Sequence, residues 1–360
     1  MNRIIFGGAF DPVHNGHINM AEKAAKALDG DVFFLPARIS VWKDSSAPRE
    51  DKIKMLELAI KGHKHFHIDD YELNSGEEIN YSIDTIRYMK EKYPKDNIFY
   101  LIGADQVNEF HRWKEAEELS KLAKIIFYKR PGHQINDENV KKYQMIPILG
   151  DDYDVSSTKI RELKSLELPD EVLFYIVENN LYSGMVELNR ILTPHRISHV
   201  KSVAKLAYEI AISNNLDKPL KYYFAGLLHD LGKDIPLEEQ YKIVCEHFSE
   251  YKNLPKFAYH QFAGAYLANK MFEVKDKDML EAIEFHATGN SNMKLMGKII
   301  YAADKIEPTR GFDSSDLIAA MKNNAEEGFK IVLKANKEFL LDHNKSIEND
   351  LTSKCFKQYL

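Results

Sequence analysis

Short apolar runs alternate with amphipathic segments along the first half of the chain. The apolar runs predict strands over residues 3–6, 32–35, 98–102 and 125–128. The amphipathic segments predict helices over residues 17–28, 49–61, 83–93 and 113–122. Strands that alternate with helices are typical of a doubly wound parallel sheet, whose ligands bind at the carboxyl ends of the strands. The predicted fold class of this half is therefore an α/β doubly wound parallel sheet.

From about residue 170 this alternation stops and a helical periodicity replaces it. Apolar residues recur at intervals of three and four over residues 197–213, 222–229, 261–271, 278–285, 298–305 and 317–324. The change predicts an all-α helical bundle after the sheet domain. We place the boundary near Ser183-Gly184, which gives domains of residues 1–184 and 185–360.

Composition and charge narrow the class of protein. The 360 residues suit two domains, and 49 basic against 55 acidic side chains give a net charge of −6. That balance argues against a broad surface for nucleic acid or an anionic membrane. The only cysteines, Cys245 and Cys355, offer no disulfide framework, and the apolar runs fall short of the roughly 18 residues of a membrane span. We therefore expect a soluble cytoplasmic protein that binds neither nucleic acid nor membrane, with a homo-oligomer left open.

The most specific local signal is the string GGAFDPVHNGH at residues 7–17, directly after the first predicted strand. Its small residues let the backbone approach a ligand closely, and the helix that follows points N–H groups at a bound phosphate. His14 and His17 lie three residues apart at the helix start, so their rings share one face. Two imidazoles placed in this way can donate hydrogen bonds to a phosphoryl group as charge develops on it.

The same string resembles the H-x-G-H signature of the nucleotidyltransferase superfamily, and a second superfamily element follows at residues 155–161, VSSTKIR. Small hydroxyl groups at a helix start, with an arginine one turn later, suit the β- and γ-phosphates of ATP. The resemblance implies a Rossmann-like nucleotidyltransferase fold with an ATP site. The contacts that it implies are Gly8, Ala9, Phe10, Gly103, Asp105, Ser156, Ser157, Thr158 and Arg161.

Three further strings narrow the superfamily to the nicotinate-nucleotide adenylyltransferases. They are Gly103-Ala104-Asp105 followed by Trp113, residues 80–85 (NYSIDT), and Lys129-Arg130-Pro131-Gly132. This resemblance implies that Trp113 stacks on the pyridine ring and that Thr85, with nearby backbone amides, holds the carboxylate of that ring. Asp105 would contact a ribose or the metal-bound phosphates. An indole face and backbone donors suit a flat, anionic heteroaromatic ring.

One segment departs from the pattern of that family. Val41-Trp42-Lys43 stands where the family has Pro-His-Lys, so the cation is kept and the histidine is lost. Lys43 is the candidate cation for the transferring phosphates. The resemblance covers residues 1–183 and implies transfer of AMP from ATP to nicotinate mononucleotide, with release of pyrophosphate and with Mg²⁺ bridging the phosphates. Positioning and electrostatics would carry the rate of such a reaction.

The helical half contains a scattered set of histidines and aspartates, namely His199, His229, Asp230, His260, His286 and Asp304. Neutral imidazoles and carboxylates are the ligand set for Fe, Mn or Zn, and the absence of a neighbouring cysteine disfavours structural zinc. His229 and Asp230 are adjacent on a predicted helix, about 100° apart, so both reach the bundle centre only around a shared metal. A buried carboxylate at that place needs a cation.

This arrangement resembles the HD-domain metal-dependent phosphohydrolases, whose H…HD…D pattern matches His199, His229-Asp230 and Asp304. Residues 259–265, 286–289 and 298–310 are similar to one subfamily, the symmetrical bis(5′-nucleosyl)-tetraphosphatases. That subfamily splits diadenosine tetraphosphate into two ADP and is associated with iron. The resemblance spans roughly residues 187–345 and implies one or two ions of Fe or another transition metal. Glu348-Asn349-Asp350 would stand where the family closes over the base.

The resemblance also implies a role for each polar residue around the metal. A metal-activated water would attack a phosphoryl group, because the metal lowers the pKa of that water. Asp230 would bridge two ions, and His260 and His286 would either complete a second metal site or, with one ion, hold the phosphates. Lys233 and Arg310 would stabilise charge that develops on the phosphates. The implied phosphate or ADP contacts are Arg196, Lys233, His260, His286, Thr288 and Arg310.

Two other functions fit the same folds. One keeps two enzymes but changes the substrates, to pantetheine-phosphate or flavin nucleotide adenylylation and to a general nucleotide phosphatase or cyclic-nucleotide phosphodiesterase. The segment from Gly103-Ala104-Asp105 to Trp113 disfavours the first of these changes, and the second stays open. The other function makes the helical half a non-catalytic nucleotide sensor that regulates the first half.

Overall fold

The structure is a computed structural model that describes residues 1–37, 47–74, 80–129, 134–150, 155–343 and 349–360. Two compact units divide the chain, Met1–Tyr182 and Ser183–Leu360. In the described parts of the chain, the structure contains no helix that is long and apolar enough to cross a membrane.

A six-stranded parallel sheet forms the first unit, in the order β3-β2-β1-β4-β5-β6. The strands are β1 (Asn2–Gly8), β2 (Gly30–Pro36), β3 (Phe66–Ile68), β4 (Asn97–Gly103), β5 (Lys124–Lys129) and β6 (Ile146–Leu149). Its helices are α1 (Asn15–Leu28), α2 (Arg49–Ile60), α3 (Tyr71–Asn74), α4 (Ser82–Lys92), α5 (Ala104–Glu109), α6 (Ala116–Leu122), α7 (Asp137–Lys142), α8 (Ser157–Arg161) and α9 (Asp170–Glu178). This architecture confirms the predicted doubly wound parallel sheet.

The strand order places the ends of β1 and β4 at the point where the sheet reverses its direction of growth. Ile4 on β1 pairs with Val32 on β2 and with Phe99 on β4, so β1 lies centrally. Open parallel sheets bind ligands at such a switch point, in the crevice beyond the carboxyl ends of the strands. The string at residues 7–17 begins in β1 and continues past its carboxyl end, which is where a nucleotide site is expected.

Helices alone make up the second unit. They are α10 (Tyr182–Ile191), which begins at the division between the units, α11 (Pro194–Ser213), α12 (Pro219–Leu228), α13 (Leu237–His247), α14 (Tyr259–Phe272), α15 (Lys277–Glu284), α16 (Leu295–Ile306), α17 (Ser315–Asn323), α18 (Ala325–Asp342) and α19 (Asp350–Tyr359). The predicted all-α bundle is confirmed. Gly226 lets α12 pack closely on α11, because a Cβ there would lie 2.7 Å from Cα of Ala204.

Candidate functional site

Residues 7–17 form the turn between the central strand β1 and helix α1. Gly8 needs to be small, since a Cβ there would lie 3.1 Å from the ring of Phe10. Phe10 has a left-handed φ of 43° and is 1% exposed, with its ring packed against Phe6 and His17. The side chain of Phe10 therefore belongs to the core, and only its backbone is left for the predicted contact with ATP, which stays a prediction.

His14 and His17 lie together at the start of α1, on one face as their spacing predicts. The rings stack with centroids 3.6 Å apart and planes 19° apart. The backbone N–H of His14 donates to Nδ1 of His17 at 3.2 Å. Because this Nδ1 accepts a hydrogen bond, the hydrogen of a neutral His17 ring lies on Nε2, which can donate to an anionic ligand.

The string at residues 155–161 meets this turn from a distant part of the chain. Gly16 permits the approach, since a Cβ there would lie 2.9 Å from Cγ1 of Val155. The hydroxyl of Ser157 donates to the carbonyl oxygen of Pro12 at 3.1 Å. The two strings that carry the nucleotidyltransferase resemblance are therefore in direct contact.

Arg161 ties the same strings together from the end of α8. Its Nη1 donates to the carbonyl oxygen of Asp11 at 2.7 Å, and its Nη2 donates to Oγ1 of Thr158 at 3.1 Å. Ser156 caps α8, as its hydroxyl position predicts. The buried Asp11 carboxylate also accepts from the hydroxyl of Tyr182 at 2.8 Å, a partner that sequence reasoning missed. Burial, with the negative charge of Asp11, raises the pKa of the Tyr182 hydroxyl, which therefore stays a donor.

The segment after β4 places two further candidate residues near the same edge of the sheet. Asp105 is exposed in the first turn of α5. Gly103 lies two residues earlier, and a Cβ at that position would lie 2.6 Å from Oδ1 of Asp105. Trp113 is half-buried, with its ring centroid 5.0 Å from that of Phe110. The helix predicted from Trp113 begins three residues later, at Ala116, because Trp113 has an extended backbone after a short 3₁₀ turn.

Thr85 does not present its hydroxyl to a ligand in this structure. The residue is 1% exposed, and its Oγ1 donates to Oε1 of Glu72 at 2.6 Å. Burial raises the pKa of Glu72 to about 7, with nearby Asp69 adding to the shift. The prediction that Thr85 holds a carboxylate is not supported by this placement, because the hydroxyl hydrogen is already donated to a buried carboxyl group.

Some predicted residues fall outside the described parts of the chain. They are Val41-Trp42-Lys43, Arg130-Pro131-Gly132 and Glu348. Their expected roles stay predictions.

Six buried ligand-type side chains converge in the second unit. They come from α11 (His199), from the turn after α12 (His229 and Asp230), from α14 (His260), from the turn after α15 (His286) and from α16 (Asp304). Each is at most 6% exposed. Groups of three among them have donor atoms within 4.8 Å of one another: His199 with His229 and Asp230, His229 with His286 and Asp304, and Asp230 with His260 and His286.

One side of this arrangement, which we call the Asp304 cluster, consists of His199, His229, Asp304 and Oδ2 of Asp230. Nε2 of His199 lies 3.1 Å from Oδ1 of Asp304 and 3.8 Å from Oδ2 of Asp230. Nε2 of His229 lies 3.6 Å and 3.7 Å from the same two oxygens. Donor atoms that are each about 2.1 Å from one ion lie about 3.0–3.4 Å apart. The separation of 3.1 Å falls in this range and the other three exceed it by a few tenths of an ångström, so a shared metal would draw these side chains slightly together.

The other side, which we call the His260 cluster, consists of His260, His286 and Oδ1 of Asp230. The two Nε2 atoms lie 3.1 Å apart, and they lie 3.5 Å and 3.3 Å from Oδ1 of Asp230. Asp230 thus turns one carboxylate oxygen toward each cluster, which is the placement that a bridging ligand requires.

Hydrogen bonds on the far side of the rings direct lone pairs into the centre. The Nδ1–H groups of His229, His260 and His286 donate to the carbonyl oxygens of Gly226, Phe257 and Ile283 at 2.7, 2.6 and 2.8 Å. A neutral ring with hydrogen on Nδ1 exposes a lone pair at Nε2. In the neutral rings the Nε2 lone pairs of His260 and His286 therefore face each other, and a cation bound by both would relieve their repulsion. Nε2 of His229 has no hydrogen-bond partner among the described residues, as expected for an atom that awaits a metal.

The charge states of His260, His286 and the two aspartates agree with this interpretation. Burial alone would lower the pKa of His229, but Asp230 and Asp304 outweigh it and raise that pKa, so a metal would displace a proton from this ring. Burial lowers the pKa of His260 and of His286, so both rings are neutral ligands at physiological pH. Burial alone would raise the pKa of Asp230, but the facing imidazoles outweigh it and hold that pKa well below its usual range. The pKa of Asp304 is likewise held low against burial, by Lys305 and His199 among others. Ionised carboxylates with the neutral imidazoles of His260 and His286 are a donor set that fits a transition-metal ion.

Cationic side chains surround the cluster. Nη1 of Arg196 donates to Oδ2 of Asp230 at 2.7 Å, and Nη2 of Arg310 donates to Oδ1 of Asp304. Lys305, which sequence reasoning did not assign, donates to Oδ2 of Asp304 at 2.6 Å. Lys233 is exposed one turn after Asp230. Guanidinium and ammonium groups in these places suit a polyphosphate that reaches the metal.

Thr288 does not fit its predicted role as a phosphate contact. It is 1% exposed, and its hydroxyl donates to the carbonyl oxygen of Gly289 while accepting from Nε2 of Gln261 at 3.1 Å. Its carbonyl oxygen accepts from the hydroxyl of Thr352 on α19 at 3.1 Å. These bonds fix the loop that follows His286, so the position of Thr288 supports a structural role.

Glu307 is a second residue that sequence reasoning did not assign. It is 1% exposed, and its Oε1 accepts from Nδ1–H of His199 at 2.9 Å. Burial alone would raise the pKa of Glu307, but hydrogen bonds from Ser202, His199 and Thr309 outweigh it and hold the pKa below its usual range. The string at residues 298–310 contained this glutamate, but only the fold shows that it faces a histidine 108 positions away.

Comparison with known protein families finds a match for each half of the chain. Residues 5–163 match the cytidylyltransferase-like family and residues 196–309 match the HD domain family. The fold and these matches define a protein with a nucleotidyltransferase domain followed by an HD domain.

Curated relatives share this two-domain order. A Mycoplasma genitalium protein named probable nicotinate-nucleotide adenylyltransferase/Ap4A hydrolase is 31% identical over 344 residues, which cover 92% of this chain and 96% of that protein. A Mycoplasma pneumoniae protein of the same name is 30% identical over 346 residues, or 92% and 98%. The chain belongs to this family of two-domain proteins. A Bacillus licheniformis protein named probable nicotinate-nucleotide adenylyltransferase is 36% identical over 187 residues, which cover 49% of this chain and 96% of that protein.

Proposed function

We propose that the chain is a bifunctional enzyme. Its first domain transfers AMP from ATP to nicotinate mononucleotide, and its second domain hydrolyses diadenosine tetraphosphate (Ap4A) symmetrically to two ADP. The contact between residues 7–17 and residues 155–161 supports the first activity, together with the names of the relatives that match the first half. The convergence of imidazoles and carboxylates on one buried centre supports the second.

Adenylyl transfer needs a phosphate oxygen of the mononucleotide to attack the α-phosphorus of ATP. The bond between the α- and β-phosphates breaks, and pyrophosphate leaves with the Mg²⁺ that accompanied ATP. The Nε2–H of His17, beside the stacked ring of His14, donates to the phosphoryl oxygens as their charge grows. Arg161 and the hydroxyls of Ser156 and Thr158 hold the leaving phosphates. Lys43 is assigned to the same phosphates from its place in the sequence alone.

Symmetrical hydrolysis of Ap4A breaks the bond between its two middle phosphates. A bound transition metal supplies Lewis acidity toward the phosphoryl oxygen and the water. His199, His229, Asp230 and Asp304 would hold that metal, and His260 and His286 would complete a second site with Asp230. Lys233, Arg196 and Arg310 bind the phosphate chain and stabilise charge on the two ADP products.

The single observation that carries the second activity is the pair of facing Nε2 lone pairs on His260 and His286, 3.1 Å apart and beside Oδ1 of Asp230. Both Nδ1–H groups are committed to backbone carbonyls, so the centre is built to hold a cation. A pure nucleotide sensor needs no such arrangement of lone pairs.

Product analysis tests both activities on one preparation. The whole chain is incubated with ATP, Mg²⁺ and either nicotinate, nicotinamide or flavin mononucleotide, and separately with Ap4A and Fe²⁺ without oxygen. We expect nicotinate adenine dinucleotide from the first incubation and ADP alone from the second. Products of ATP plus AMP would overturn the symmetrical cleavage, and undiminished hydrolysis by the Asp230→Ala variant would overturn the metal mechanism. Preference for another mononucleotide would overturn the first assignment.

A further inference from the structure

The four imidazoles of the metal centre differ in the group that accepts the hydrogen bond from their Nδ1–H. Three of them donate Nδ1–H to a backbone carbonyl three residues earlier in the chain. His199 alone donates to a carboxylate, Oε1 of Glu307, at 2.9 Å. The centre thus has one imidazole backed by a negative charge, and that imidazole lies in the Asp304 cluster.

Glu307 is held in place by its own contacts. Its Oε1 accepts from the hydroxyl of Thr309 at 2.7 Å, and its Oε2 accepts from the backbone N–H of Thr309 at 2.7 Å. Ser202 on α11 also donates to the carboxylate. A side chain that is 1% exposed and held by these bonds does not depend on a metal for its position. It orients the ring of His199 before any ion arrives.

A carboxylate behind an imidazole changes the strength of that imidazole as a ligand. It pulls the Nδ1 hydrogen and so raises the electron density at Nε2 beyond what a backbone carbonyl achieves. The Asp304 cluster contains the whole carboxylate of Asp304 and one oxygen, Oδ2, of Asp230. The His260 cluster contains only the other oxygen of Asp230, Oδ1. Carboxylate ligands are therefore concentrated on one side of the centre, where Arg196, Arg310 and Lys305 donate to them.

We infer that Glu307 is a positioning residue that makes the Asp304 cluster the tighter of two unequal metal sites, with the His260 cluster the weaker. This inference depends on the metal centre of the proposed function but not on its substrate. The Asp304 cluster fills first as metal is added. His286, whose Nε2 also lies within 4.8 Å of the donor atoms of His229 and Asp304, connects the two sites.

Metal titration of the whole chain tests the inference without any substrate. Metal-free protein is titrated with Co²⁺ under argon, and binding is followed by calorimetry and by the visible absorption of the bound ion. We expect two resolved steps in the wild type. In Glu307→Gln, the amide oxygen still accepts from His199 while the charge is lost, so the tight step weakens by about 10- to 100-fold and the weak step stays unchanged.

Two further variants separate charge from structure. Thr309→Val removes one hydrogen bond to Glu307 at an exposed position, and we expect a smaller weakening of the tight step alone. This variant gives an independent result if Glu307→Gln does not fold. Glu209→Gln, which breaks an ion pair with Lys322 on the surface of the same unit, is the matched control and leaves both steps unchanged.

Several results would overturn the inference. Equal weakening of both steps in Glu307→Gln would reveal a merely structural role, and no weakening would exclude any role in metal binding. A wild type that takes up one ion per chain would remove the second site, and one that takes up none would remove the metal centre itself. Two-step binding by a protein that does not hydrolyse Ap4A would leave the inference standing and overturn only the proposed substrate.

Discussion

The histidines of the two units are oriented for opposite purposes. In the first unit, Nδ1 of His17 accepts a hydrogen bond from the backbone N–H of His14, so its Nε2 carries a hydrogen that suits an anion. In the second unit, Nδ1 of His260 donates to the backbone carbonyl of Phe257 and burial lowers the pKa of the ring, so its Nε2 carries a lone pair that suits a cation. The comparison teaches that the backbone partner of one ring nitrogen decides what the other nitrogen can bind.

Buried carboxyl groups in the two units also differ, because their pKa values are shifted in opposite directions. Burial raises the pKa of Glu72 in the first unit to about 7, although the hydrogen bond from the hydroxyl of Thr85 acts in the opposite direction. In the second unit, the cations and imidazoles around Asp304 hold its pKa well below its usual range despite burial.

The largest expected effect is on hydrolysis by Asp230→Asn. This carboxylate faces both metal clusters, so we expect its loss to remove metal. Because the metal contributes several kcal/mol of stabilisation as a Lewis acid, Ap4A hydrolysis should fall by at least about 10³-fold. Adenylyl transfer should stay at the wild-type rate. Both rates are measured by product chromatography on the same preparation, and a parallel fall in adenylyl transfer would contradict the separation of the two sites.

The next largest effect is on adenylyl transfer, in the variant His17→Ala. Loss of the Nε2–H donor should lower kcat for adenylyl transfer by about 10²- to 10³-fold, while the iron content and the Ap4A hydrolysis of the protein stay unchanged. His65→Ala is the matched control, because His65 is an exposed histidine of the same unit. An equal loss in both variants would mean that His17 acts through the fold.

A smaller effect concerns the pH dependence of stability. Because the pKa of Glu72 is raised, the folded chain keeps a proton that the unfolded chain releases between about pH 4.5 and 7. The free energy of unfolding should therefore fall as pH rises through this window, by about 3 kcal/mol relative to Glu72→Gln. Urea unfolding of both proteins at pH 4.5, 6 and 8 measures the difference. A difference that does not change with pH would show that Glu72 ionises at its ordinary pKa.

The smallest effect compares two glycines inside helices of the second unit. Gly226→Ala should destabilise the protein by about 1–3 kcal/mol, since its Cβ would lie 2.7 Å from Cα of Ala204. In Gly297→Ala the added Cβ makes ordinary contacts, the nearest with the flexible end of Met293 at 3.4 Å, so a better helix former there should be neutral or stabilising by up to about 1 kcal/mol. Thermal unfolding measures both, and equal changes would contradict the close packing of α11 on α12.

The sequence was sufficient for the fold class and for selecting the six side chains that converge in the second unit, because both leave periodic or local patterns. The long amphipathic segments predicted α11, α12 and α16 within a few residues. The strands β3 and β6 were missed, because β3 has three residues and β6 contains Pro147.

The supporting residues of both sites could not be predicted. Glu307, Glu72 and Tyr182 act on partners that the fold brings close from 108, 13 and 171 positions away. No local pattern marks such pairs, since each member is compatible with an ordinary surface position. For the same reason Phe10 and Thr85 were assigned to ligand contacts although their side chains are buried.

Iron analysis of two double variants tests most directly whether the histidines of the first unit serve an anion and those of the second unit a metal cation. The whole chain, His14→Ala/His17→Ala and His229→Ala/Asp304→Ala are each exposed to Fe²⁺ without oxygen, desalted and assayed for bound iron per chain. The account predicts that the first double variant retains iron at the wild-type level and that the second loses it. Retention of iron by the second variant, or its loss from the first, would contradict the account.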